Sequence, residues 1–84
     1  MAPNNDPSRK DKILLGRYAN YFAVGYNAHE FIFDFGQNYS ESDPAELHTR
    51  IITSPTYAKA LFDLLHKSIA EYEEAHGAIE DDAG

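Results

Sequence analysis

Three features of the chain predict an α+β fold. Large apolar residues alternate with other side chains from Phe22 to Phe35, as they do on strands, and a second alternating run occupies residues 47 to 54. From Pro55 onward the apolar spacing changes to three and four, the period of a helix. The predicted arrangement is a small two-layer β-β-β-α domain, with an antiparallel aromatic hairpin and a third strand packed on one long C-terminal helix.

In the hairpin, Phe22 and Val24 alternate with Ala23, and Phe31, Phe33 and Phe35 alternate with Glu30, Ile32 and Asp34. The breaker-rich Gly25-Tyr26-Asn27-Ala28 lies between the two runs, with Asn27 the candidate for a positive φ. A two-residue turn at Asn27-Ala28 pairs Tyr26 with His29, Val24 with Phe31 and Phe22 with Phe33. That register gathers Phe22, Val24, Phe31, Phe33 and Phe35 on one core face, and a slip of one residue would turn the whole set to solvent. Gly36 ends the second strand, and residues 37 to 46 form a polar loop with turn chemistry.

The third strand, residues 47 to 54, alternates Leu47, Thr49, Ile51 and Thr53 with His48, Arg50 and Ile52. Ser54-Pro55 is a helix start: serine caps an orphan N–H, and proline at the first helical position gives up no hydrogen bond. A helix over residues 55 to 76 then presents Ala58, Leu61, Leu65, Ile69 and Tyr72 toward the aromatic face, with Phe62 and Leu64 flanking. Lys59, Asp63, Lys67 and Glu71 mark its solvent side. Gly77 is the expected stop. Around one domain at residues 13–79, a disordered N-terminal arm at 1–12 and an acidic tail at 80–84 are expected.

Composition narrows the function classes. The chain has 84 residues, no cysteine and a formal charge of -7. A domain this small buries a modest fraction of its surface, and without disulfides or thiolate metal sites its stability must come from packing or from a second chain. The acidic balance disfavours polyanions, since phosphate neutralisation supplies most non-specific nucleic-acid affinity. The N-terminal residues lack a secretory or membrane-spanning apolar run, so a cytoplasmic location is expected.

The stretch YANYFAVGYNAHEFIFDFGQ, together with HTRIITSPTYAKALFDLLHKSIAEYEEAHGAI, resembles a family of short bacterial proteins known as domain of unknown function 3467. The likeness runs from Tyr18 to Ile79. It rests on the aromatic strand pair ending in Asp34-Phe35-Gly36-Gln37 and on the passage from Arg50 through Ser54-Pro55 into the final helix. The resemblance implies a compact α+β fold and carries over no catalytic residue.

With one helix covering one sheet face, the other face stays open. Its apolar members are Tyr21, Ala23, Ile32 and Ile52, and Phe62 overflows the helix stripe; these are the candidate partner or oligomer interface. His29, Glu30, Asp34 and His48 are the candidate metal ligands, set against an ordinary ion pair between Asp34 and Arg50. No nucleophile-base-acid arrangement stands out, so an enzyme is not expected, and neither is a cofactor. The leading expectation is a non-catalytic, homodimeric interaction module that binds a protein partner or assembles through a sheet face or edge. A second reading is nucleic-acid binding, with Tyr18, Tyr21 and Tyr26 stacking on bases and Arg9, Lys10, Lys12 and Arg17 on phosphates.

Overall fold

The computed structural model describes residues 13–80. The expected terminal segments therefore lie largely outside the described residues, as do Arg9, Lys10 and Lys12 of the basic arm. Strands β1 (Tyr21–Tyr26), β2 (Phe31–Gln37) and β3 (Glu46–Thr53) form one antiparallel sheet in the order β1-β2-β3, followed by helix α1 (Pro55–His76). The α+β class and the order of elements match the sequence reading.

The hairpin turns one residue later than expected. Tyr26 pairs with Phe31, Val24 with Phe33 and Phe22 with Phe35, so the tip is Ala28-His29. Asn27 sets this tip with its side chain rather than with a positive φ, which among the described residues is found only at glycine. Its Oδ1 accepts from the backbone N–H of His29 at 2.7 Å and of Glu30 at 2.9 Å, and its own N–H donates to the Glu30 carbonyl at 3.0 Å. The pairing changes by two residues, an even step, so every side chain of β1 and β2 keeps its predicted face.

On that face the rings meet across the strands. Phe22 and Phe35 are edge-to-face at 5.9 Å between centroids, and Tyr26 stacks on Phe31 at 5.6 Å. Regular pairing begins at Tyr21. Ahead of it, Asn20 extends the ladder: its N–H donates to the Gly36 carbonyl, and its side chain exchanges two hydrogen bonds with the backbone of Asn38.

The β2–β3 register shifts between Phe35 and Gly36: Thr49 faces Phe35, Leu47 faces Gly36, and His48 is the extra residue. Gly36 sits in a close backbone approach there, because a Cβ at this position would run into the Glu46 carbonyl oxygen.

The helix forms as its caps predict. Ser54 Oγ accepts from the Tyr57 N–H at 3.2 Å, and Pro55 opens the first turn. At the other end Gly77 has φ 91°, and its N–H donates to the Glu73 carbonyl at 2.8 Å.

Helix and sheet part company after about two turns. Pro55, Ala58 and Phe62 face Phe31 and Phe33 across a gap of about 280 Å³, and Ala58, 9% exposed, is the one buried apolar side chain among the described residues. Beyond this contact the stripe is uncovered, from 40% exposure at Ile69 to 54% at Leu65. The expectation that the whole stripe lies on the aromatic face is therefore corrected. Ser54 alone separates β3 from α1, and its extended backbone (φ -80°, ψ 160°) sets the helix direction.

Candidate interaction surfaces

Two surfaces result. The aromatic face carries Phe22 at 61% exposure, Val24 at 60% and Ile51 at 49%, while the β2 aromatics Phe31, Phe33 and Phe35 are half-buried. At the end of the sheet remote from the hairpin, residues before β1 pass close to β3. Leu14, Leu15 and Arg17 border a groove of about 710 Å³ with Phe35, Thr49 and Ile51. Leu14 and Leu15 are themselves almost fully exposed.

The groove has a hydrogen-bonded wall at the β3 irregularity. Arg17 Nη1 donates to the His48 carbonyl at 3.3 Å, and His48 Nε2 lies 3.0 Å from the Tyr18 carbonyl. Because a carbonyl only accepts, Nε2 carries the proton; in the neutral ring Nδ1 then accepts from Thr49 Oγ1 at 2.7 Å. His48 thus ties the segment before β1 to the irregularity in β3. Nothing in the local spacing around His48 signals this role.

The reverse face holds Tyr21, Ala23, Ile32 and Ile52, with Ile32 and Ile52 directly paired. It is interrupted at its middle by Asp34 and Arg50, which form a two-bond fork, Nε to Oδ1 at 2.7 Å and Nη2 to Oδ2 at 2.9 Å. The guanidinium bonds hold the Asp34 carboxyl below its ordinary range and raise Arg50. Phe62 does not join this face; it lies on the helix, at the gap facing Phe31 and Phe33.

The candidate metal ligands do not come together. Asp34 is engaged by Arg50, and His48 by Tyr18 and Thr49, while Glu30 Oε1 accepts from Asn27 Nδ2 at 3.4 Å. His29 stands at the hairpin tip. Among the described residues no three histidine, aspartate or glutamate side chains converge on a point where an ion could sit. No helix among them is long and apolar enough to cross a membrane.

No curated protein and no solved structure matches the chain. A family model described as "Protein of unknown function (DUF3467)" matches residues 4–81, nearly the whole length. The chain belongs to the DUF3467 family.

Proposed function

We propose that the protein is a small, non-catalytic assembly module that works as a homodimer. The observation that carries this reading is the lack of a core within one chain: Ala58 is the one buried apolar side chain among the described residues, whereas two long apolar surfaces face solvent. Contiguous exposed patches beyond a few hundred Å² mark interaction sites on soluble proteins, and a cysteine-free domain of this size needs a further source of stability. The polar side chains best placed for chemistry, Asp34, Arg50 and His48, are already occupied by bonds that hold strands and segments together. In a dimer the reverse face, with Tyr21, Ile32 and Ile52, is the surface left for further assembly.

Size-exclusion chromatography with light scattering at tens of micromolar, read alongside far-UV circular dichroism, tests the proposal. The expected result is a folded dimer whose thermal midpoint rises with protein concentration. A folded monomer with a concentration-independent midpoint would overturn it.

A further inference from the structure

We infer that a second copy of this chain supplies the missing layer by exchange: the uncovered stripe of each α1 lies across the partner's aromatic sheet face and ends in the groove beside Arg17. The inference rests on the homodimer proposed above and adds which surfaces meet. A two-layer α+β domain is stable when a helix stripe and a sheet face bury one another, and here each chain presents both, uncovered over most of their length. A self-complementary pairing, in which the helix of one copy meets the sheet of the other and the reverse, satisfies both at once and closes as a two-fold dimer.

Area and charge favour this occupant. Phe22, Val24 and Ile51 on the sheet, with Leu61, Phe62, Leu65, Ile69 and Tyr72 on the helix, are each 40% to 61% exposed. With about 150–250 Å² available on a large side chain, they leave roughly 800 Å² uncovered per chain, about what each partner contributes to a standard stable interface. The groove at the far end joins apolar Leu14, Leu15, Phe35 and Ile51 to polar His48, Thr49 and Arg50 and to Arg17, which among the described residues has no carboxylate within ion-pair distance. The part of α1 that would reach it carries Glu73, which flanks the stripe one turn on from Ile69. A stripe flanked by one acid thus meets a part-apolar groove edged with base. Two helices packed side by side in parallel would instead bring their Glu71, Glu73 and Glu74 together, and would leave both sheet faces open.

The absence of native cysteine makes the pairing directly measurable. Single variants Ile51→Cys and Ile69→Cys are unfolded together in urea, refolded as a mixture and treated with a short bis-maleimide. The expected result is a cross-linked dimer from the mixture in several-fold excess over that from either variant alone. Cross-linking of Ile69→Cys alone at least as strong as in the mixture would show helix meeting helix and overturn the inference; the same outcome for Ile51→Cys alone would show sheet meeting sheet and overturn it equally. Light scattering on each variant separates the two levels of failure: a folded monomer removes the homodimer itself, whereas a dimer with the wrong cross-link removes only this arrangement. As a second readout, Arg17→Glu weakens the dimer several-fold, and adding Glu73→Lys restores it. Unchanged dissociation in Arg17→Glu would remove the charge pairing at the groove and overturn the inferred placement of the helix end.

Discussion

Replacing Gly36 with alanine tests the β2–β3 register at its most demanding point. The added methyl group would press into the Glu46 carbonyl oxygen and lie 3.0 Å from both the Glu46 carbonyl carbon and the Leu47 Cα. All three are backbone atoms, so no rotamer change relieves the contact. Reaching an ordinary carbon–carbon separation of about 3.5 Å or more requires β3 to move away from β2 by at least half an ångström or so. That displacement falls on the register shift where Leu47 faces Gly36 and His48 anchors Tyr18. Overpacking without a soft neighbour costs about 1–3 kcal/mol, and the rigidity of this neighbour puts the expected loss near the upper end.

Urea unfolding followed by circular dichroism, with all variants at one protein concentration, measures the effect. For a small domain with a slope near 1 kcal/mol per molar urea, the midpoint falls by about 2–3 M, or the variant does not fold. Gly25→Ala is the internal control. No atom lies within 4 Å of a Cβ built at Gly25, and its φ lies outside the left-handed region, so alanine there is neutral or stabilising by up to about 1 kcal/mol. A Gly36→Ala variant within about 0.5 kcal/mol of the parent would refute the close approach and with it the position of the irregularity in β3.

Asn27→Ala removes the acceptor shared by the His29 and Glu30 N–H groups and destabilises the fold by about 1 kcal/mol, whereas Asn27→Asp, which keeps the acceptor, stays close to the parent; both are read from urea midpoints. Asp34→Asn bears on pH dependence. The Arg50 fork holds the Asp34 carboxyl below its unfolded value in the folded chain, so the folded state binds fewer protons in that interval. The stabilisation is present above the unfolded value of about 4 and fades as pH falls through the lowered folded value. The parent should therefore lose more of its thermal midpoint between pH 5 and pH 2.5 (both approximate settings, chosen to bracket that range) than Asp34→Asn does. Equal losses would show that the pair contributes no linked stability. Arg50 is 63% exposed, so added salt should shrink the difference.

Features decided within a few residues of chain are legible in the sequence. Ser54-Pro55 and Gly77 mark the helix because capping is local chemistry, and the alternation from Phe22 to Phe35 assigns faces because parity survives a two-residue error in register. What escapes a local reading depends on atoms distant in sequence. Gly36 reads as a strand terminator, and only the approach of Glu46 explains why a side chain cannot stand there. His48 reads as a metal ligand, and only the return of Tyr18 across the sheet end explains its two bonds.

The deepest ambiguity concerns α1. Periodicity states that Leu65, Ile69 and Tyr72 must be covered; it does not state by which chain, since a sheet from the same copy or from another offers the same aromatic surface. The structure bears on these alternatives, because the helix borders its own sheet only as far as Phe62 and leaves Leu65, Ile69 and Tyr72 exposed. Charge then restricts the choice of partner surface. With a net charge of -7, indiscriminate stacking of these faces is opposed by repulsion, and in the inferred dimer the acidic end of the helix lies next to Arg17. An acidic chain with open apolar faces is therefore consistent with the reciprocal pairing inferred above: the charge opposes most other contacts those faces could make.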